Sequence, residues 1–176
     1  YAGALFITFF DYRNLSKLWW LAAGFCLLLL VYTQIKGIAV ESSGGMNTKA
    51  WIEIPGGLTF QPSELVKIAF LVTFGKHLSV LKERDMLKNP LQVILLGFHA
   101  VIPVGWMVII QKDMGSAVVF FFMFLVMSFG AGIQFRYFGA IFALLAVAVP
   151  YAWNSGIIAN YQKQRLTTFL HPEDDP

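Results

Sequence analysis

Long apolar stretches separated by short polar segments make up most of the chain. About 20 predominantly apolar residues are enough for a helix to cross a bilayer. Residues 1–10 are apolar but too few to span, which indicates the end of a truncated helix. The pattern predicts five complete membrane-spanning helices, over residues 18–35, 61–81, 90–111, 116–133 and 137–154. We therefore predict an all-α polytopic membrane protein.

The polar segments between these helices predict how the chain is oriented in the bilayer. If successive loops alternate sides, residues 11–17, 82–89 and 134–136 share one side, and residues 36–60 and 155–176 share the other. The first set is richer in Lys and Arg, and such loops face the cytoplasm. We interpret residues 1–176 as a single transmembrane domain from a longer protein. Residues 36–60 are then an outer loop, and residues 155–176 begin a large outer loop.

Composition supports a bilayer environment. Hydrophobic residues make up 57% of the chain and charged residues 13%, whereas about a quarter of the residues in a soluble domain are charged. Cys26 is the one cysteine, so the chain has no internal disulfide. The net charge of +3 is spread out, with no basic patch interleaved with aromatic residues. This distribution argues against a nucleic-acid partner.

No cofactor is predicted from the residues. His99 lies among apolar residues, and we expect it to be a packing histidine with a hydrogen-bond partner. No second His or Cys is evidently placed to complete a metal site with it. A divalent metal therefore has no support in the sequence.

The stretch FQPSELVKIAF, residues 60–70, places charge at the start of a predicted span. Pro62 suits the first turn of a helix, where its missing N–H costs nothing. Glu64 then faces the positive end of the helix dipole. Lys67 lies one turn deeper on the same face, so the two side chains are able to pair. Either Glu64 caps the helix while Lys67 extends to the lipid headgroups, or the pair lines a polar cavity.

Two further positions have both a structural and a functional interpretation. Trp51 is either an anchor at the membrane interface or an aromatic wall beside the cavity. Asp113, in QKDMGSA, is a natural N-cap, although its outward position leaves room for a substrate role. The small residues Gly115, Ser116 and Ala117 follow it and favour close helix packing.

The last segment, YQKQRLTTFLHPEDDP, carries apolar residues and cations together. It is compatible with an amphipathic helix at the outer interface or with a solvated loop. In the first case Lys163 and Arg165 are placed to meet lipid phosphates.

These segments together resemble one family. The ordered set W-I, FQPSEL-x-K, Q-x-D-x-G-S-A and Y-Q-x-x-R followed by PEDDP is similar to the SEDS proteins, which include RodA, FtsW and SpoVE. The PEDDP ending is most like RodA. The resemblance covers Trp51 to Pro176 and implies a ten-span helical fold, of which this chain covers roughly the second to the seventh span.

The resemblance also implies a function. SEDS proteins are peptidoglycan glycosyltransferases of cell elongation and division, and they polymerise lipid II at the outer face of the bacterial cytoplasmic membrane. They act with a class B penicillin-binding protein, which crosslinks the strands. A lipid II flippase and a scaffold that docks a transpeptidase are the alternative interpretations.

The family motifs map onto individual positions. Gln61, Pro62, Ser63 and Glu64 match the QPSE motif, Lys67 matches its partner lysine, Trp51 matches the family tryptophan, Asp113 and Gly115 match QPDLGT, and Gln162 and Arg165 match the start of the large loop. Ala50 stands where the family usually has Arg, with Lys49 before it, and Lys112 stands where it usually has Pro. The candidates for binding substrate phosphates are Lys49, Gln162, Lys163 and Arg165.

The resemblance places the proposed catalytic aspartate beyond residue 176. No catalytic residue is therefore assigned in this chain, and Asp113 is not given that role. Activity is expected of the intact protein and not of residues 1–176 alone.

Overall fold

The computed structural model describes residues 18–42, 46–54, 57–156 and 163. Its elements, in chain order, are α1 (Trp19–Lys36), β1 (Ile38–Ser42), β2 (Met46–Ile54), β3 (Leu58–Phe60), α2 (Pro62–Glu83), α3 (Pro90–Gly105), a π-helical turn (Trp106–Ile110), α4 (Met114–Ala131) and α5 (Phe135–Asn154).

All five predicted spans are helices. Four of the described helices are long and apolar enough to cross a membrane, judged by length and composition alone: α1, α3 with its π turn, α4 and α5. The other, α2, has 22 residues, or about 33 Å at 1.5 Å per residue. It is more polar because it carries Glu64, Lys67, Lys76, Lys82 and Glu83. The truncated helix predicted over residues 1–10 lies outside the described residues.

The segment predicted as a loop over residues 36–60 contains a three-stranded antiparallel sheet in the order β1-β2-β3. Ile38 is paired with Trp51, and Ile52 with Phe60. The alternation of apolar and charged residues through Ile52 and Glu53 is typical of a strand with two unlike faces. The sheet was not predicted, because the glycines and the proline of this segment were interpreted only as turn residues.

Helix α2 is the centre of the unit that runs to Ile133, since it packs against α1, α3 and α4. Four phenylalanines fill the space between α2 and α4. Phe70 stacks on Phe74 with ring centroids 4.9 Å apart, and it meets the edge of Phe120 at 5.4 Å. Phe74 meets Phe124 at 5.6 Å. Edge-to-face and offset aromatic pairs of this kind add specific geometry to simple burial.

Helix α3 begins, and helix α4 ends, at a recognisable capping residue. The Asn89 side chain accepts from Leu91 N ahead of Pro90. Gly132 ends α4 in the left-handed conformation, with φ of 93°. The bonds from Gly132 N to Phe129 O and from Ile133 N to Ser128 O form a Schellman motif. Helix α5 belongs to a second unit, residues 134–176.

Candidate functional site

The first turns of α2 hold the acid and the base identified in the sequence. Pro62 is at the first helical position, and Glu64 lies in the first turn. The Lys67 ammonium Nζ lies 2.7 Å from Glu64 Oε1. The Glu64 side chain is 57% exposed and that of Lys67 is 20% exposed. The two residues therefore form the ion pair that their spacing predicts, with the Glu64 side chain more exposed than that of Lys67.

A second polar contact joins the start of α2 to the start of α4. Gln61 Nε2 donates to Asp113 Oδ2 at 3.3 Å. Asp113 Oδ1 accepts from Ser116 N at 3.0 Å, and Oδ2 also accepts from the Ser116 hydroxyl at 2.7 Å. Asp113 is thus the predicted N-cap of α4, and both of its carboxylate oxygens hold hydrogen bonds. This geometry suits a positioning role better than that of a free base.

The chain reaches Asp113 through an unusual backbone path. After Pro103, α3 ends in the π turn, where Gln111 N bonds to Trp106 O. Lys112 then adopts a left-handed conformation with φ of 54°, and Asp113 N bonds to Met107 O at 2.8 Å. A proline has φ fixed near −65°. Residue 112, where the family usually has proline, therefore has a backbone conformation that proline cannot adopt.

Each residue of the Gln61–Asp113 contact has a buried polar residue close to it in the sequence. Ser63 is fully buried and Gln111 is 1% exposed. Among the described residues, the Ser63 hydroxyl and both amide atoms of Gln111 have no hydrogen-bond partner. Gln111 was not singled out from the sequence, although it opens the same QKDMGSA stretch as Asp113. Buried polar groups are normally paired, and unpaired buried atoms also occur at Gln34, Trp106 and Ser128, so this feature does not by itself identify the site.

The predicted small-residue patch after Asp113 is only partly buried. Ser116 and Ala117 are buried, whereas Gly115 is exposed. Close packing at the start of α4 thus rests on Ser116 and Ala117.

Trp51 and Lys49 lie on β2, which packs against α1 and α2. Trp51 is half-buried, Ala50 is buried and Lys49 is exposed. The backbone of Gly37, at the end of α1, approaches the Trp51 carbonyl oxygen so closely that a Cβ at residue 37 would lie 3.1 Å from it. The close approach of these backbones sets the position of Trp51 relative to α1.

An apolar groove of about 120 Å³ lies between α1, α2 and α3. Its lining residues include Cys26 and Leu30 of α1, Val66 and Phe70 of α2, and Trp106 after α3. Neither Glu64 nor Lys67 lines it. The polar cavity expected beside that pair therefore stays a prediction.

His99 packs against aromatic rings and has hydrogen-bond partners, as expected, and a second histidine, which the sequence did not place there, lies beside it. His77 Nδ1 lies 3.2 Å from His99 Nδ1, and His99 Nε2 lies 3.2 Å from Thr73 Oγ1. The two histidines are 22 positions apart on different helices, so their proximity depends on which faces of α2 and α3 meet. Among the described residues, no group of three or more His, Cys, Asp or Glu is arranged to hold a metal.

The candidates near the end of the chain are only partly described. Lys163 Nζ donates to the Trp153 carbonyl oxygen and lies 5.4 Å from the centroid of the Trp153 ring. Gln162 and Arg165 lie outside the described residues, as does the predicted amphipathic helix. Lys163 is thus held by a backbone oxygen and an aromatic ring of α5.

The helices define the class of this protein, which is that of multi-pass membrane proteins. A family model for cell cycle proteins, covering FtsW, RodA and SpoVE, matches residues 1–176. The chain belongs to this family, as the ordered motifs predicted.

Individual relatives agree with this assignment. A probable peptidoglycan glycosyltransferase FtsW of Geobacter sulfurreducens is 32% identical over 152 residues, which are 86% of this chain and 38% of that relative. A chain of a peptidoglycan synthase complex that coordinates polymerization and crosslinking superposes with a TM-score of 0.75 at 29% identity, covering 98% of this chain and 48% of that one.

A variant of the rod shape determining protein RodA of Thermus thermophilus superposes with a TM-score of 0.62 at 29% identity, covering 82% of this chain and 45% of that one. The chain thus spans 38% of the length of the curated FtsW relative that it matches. Both FtsW and RodA match at similar identity, so the closer likeness to RodA stays a prediction.

Proposed function

We propose that the intact protein is a peptidoglycan glycosyltransferase that polymerises lipid II into glycan strands. Family membership supports the reaction class, because relatives of the same family carry that name. The observation that carries the proposal is the Gln61–Asp113 hydrogen bond, which brings two family motifs together from 52 positions apart. These two motifs therefore meet where α2 and α4 begin.

On this proposal the end of the helices that holds the Glu64–Lys67 pair faces the outside of the bacterial cytoplasmic membrane. The start of α2, the start of α4 and the sheet lie at that end. The reaction joins the 4-hydroxyl of one lipid II to the anomeric carbon of another, and undecaprenyl pyrophosphate leaves. A base must take the hydroxyl proton, and cations must meet the leaving pyrophosphate.

The charged and polar candidates have different roles in this proposal. Glu64 and Lys67 hold the shape and charge of the site, and Gln61 and Asp113 fix α2 to α4. The exposed Lys49 on β2 is available to a phosphate. Lys163 and Arg165 follow α5 and are further candidates, although Lys163 must exchange its contacts with Trp153 to bind one.

A class B penicillin-binding protein is the proposed partner, since polymerised strands must then be crosslinked. The matching synthase complex, in which polymerization and crosslinking are coordinated, supports this pairing. Co-purification of the intact protein with such a partner tests it, and a failure to associate at micromolar concentration contradicts it.

Reconstitution separates the polymerase from its alternatives. Proteoliposomes holding the intact protein and lipid II are assayed for glycan polymer and for lipid II that has crossed the bilayer. We expect polymer. Crossing of lipid II without polymer supports the flippase. The absence of both polymer and crossing, while the partner still binds, supports the scaffold.

A further inference from the structure

Two histidines from neighbouring helices face each other inside the helical unit. His77 is on α2 and His99 on α3, and their Nδ1 atoms are 3.2 Å apart. The ring planes differ by 29°, and the ring centroids are 5.4 Å apart. This distance is that of an N–H···N hydrogen bond. A neutral imidazole has one donor and one acceptor nitrogen, so one ring donates and the other accepts.

Thr73 decides the direction of this bond. Its hydroxyl donates to the Phe70 carbonyl oxygen at 3.3 Å. A hydroxyl has a single proton to donate, so with that proton on the Phe70 bond Thr73 Oγ1 accepts from His99 Nε2–H at 3.2 Å. His99 Nδ1 then carries no proton and accepts from His77 Nδ1–H. The hydrogen bonds thus run in series: His77 donates to His99, His99 donates to Thr73, and Thr73 donates to the Phe70 carbonyl oxygen.

The surroundings of the pair contain no counter-ion within the described part of the chain. Neither imidazole has an acidic partner there. Phe70 and Phe74 meet the His99 ring edge to face at 5.9 and 5.5 Å. A positive charge on His99 would therefore face aromatic rings and no carboxylate.

The titratable and charged residues on the packed helices are few. Helix α3 has none besides His99, and α4 has none. Helix α1 has Cys26, Tyr32 and Lys36, and α2 has, besides His77, Glu64, Lys67, Lys76, Lys82 and Glu83. Lys76 adjoins His77 in sequence and carries the same charge as a protonated imidazole.

We propose that His77 and His99 form a hydrogen-bonded pair that links α2 to α3 and accepts one added proton without losing its bonds, and we call this pair the one-proton couple. The first proton from water adds to His77 Nε2, the ring nitrogen that the hydrogen-bonded chain does not use, and every bond of the chain is kept. A second proton must add to His99 Nδ1, which requires the bond from His77 to break. The couple thus holds α2 and α3 together until, at low pH, the second protonation breaks the bond between the two rings. This inference does not depend on the proposed glycosyltransferase activity.

The tautomers give the sharpest test. Nitrogen NMR of histidine-labelled intact protein in lipid nanodiscs, at about pH 7.5 where free histidine is neutral, reports which ring nitrogens carry protons. We expect His99 to be protonated at Nε2 and His77 at Nδ1. The same tautomer in both rings, or charge on both, overturns the proposal.

Variants of Thr73 test the assigned direction. Thr73→Val removes the acceptor for His99 Nε2–H and is expected to mix the His99 tautomers, whereas Thr73→Ser keeps the assignment of the native protein. Unchanged tautomers in Thr73→Val overturn the direction of the chain. This readout does not depend on a loss of folding, because the two variants differ from native by a methyl-sized change.

Stability against pH gives a second readout. The folded couple binds one proton at most, whereas the unfolded chain binds two below about pH 6.5. The unfolded state then holds more protons, so stability falls as pH falls. We expect the melting temperature to drop by several degrees between about pH 7.5 and pH 5.5, with a chelator in every buffer. His99→Gln should remove this part of the drop, and Thr73→Ser, which keeps the hydroxyl beside His99, should keep it. Equal slopes in native protein and His99→Gln contradict the proposal.

Discussion

Gln61 Nε2 donates to Asp113 Oδ2 across 3.3 Å and joins the N-cap residues of α2 and α4. The same carboxylate caps α4 through Ser116. Asp113 therefore performs two tasks, one within its own helix and one between helices. This double use explains why a residue that seemed a simple N-cap in the sequence lies in the candidate site.

Removing the Asp113 carboxylate should cost more stability than removing the Gln61 amide. Loss of an N-cap costs about 0.5–2 kcal/mol, and Asp113→Ala loses the bond to Gln61 as well. Asp113→Asn keeps a good capping side chain and should cost less. Denaturant unfolding of the three single variants and of the double variant measures this. Additive effects of Gln61→Ala and Asp113→Ala contradict a direct bond between the two side chains.

Lys112 should tolerate glycine and reject proline. Its φ of 54° is left-handed, a conformation that costs a non-glycine residue about 1–2 kcal/mol. Lys112→Gly is therefore expected to preserve or raise the melting temperature, and Lys112→Pro to lower it markedly, because proline cannot adopt this φ. A Lys112→Pro protein as stable as native is incompatible with the backbone path into Asp113.

Gly37 should not accept a side chain. A Cβ there meets the backbone oxygens of Thr33 and Trp51, and such overpacking costs about 1–3 kcal/mol. Gly37→Ala is expected to lower the unfolding midpoint and to change the fluorescence of Trp51. Gly24→Ala within α1 is the control, since a Cβ at Gly24 has nothing within 4 Å. Equal effects of the two substitutions exclude the close approach at Gly37.

The sequence was informative where local pattern decides structure. The length of the apolar stretches predicts the helices, and the i,i+3 spacing along one helix predicts the Glu64–Lys67 pair. Asp113 as an N-cap follows from the preference of its side chain for that position. Each of these rests on residues that lie within a few positions of one another.

Contacts between residues far apart in the chain could not be predicted from the sequence. His77 and His99 meet because particular faces of α2 and α3 pack together, and no period along either helix specifies the partner face. The sheet escaped notice for a related reason: the pairing of Ile38 with Trp51 depends on how the segment folds back on itself.

The central claim is that the Glu64–Lys67 pair supports polymerisation of lipid II, and the rate of glycan formation by the intact protein tests it most directly. Glu64→Gln and Lys67→Ala should each reduce polymer to background. The control is Asp85→Asn, which breaks an ion pair of the same i,i+3 spacing between Asp85 and Lys88, at side chains that are 86% and 68% exposed. That variant should polymerise at the native rate. Near-native polymer from folded Glu64→Gln and Lys67→Ala proteins contradicts the account.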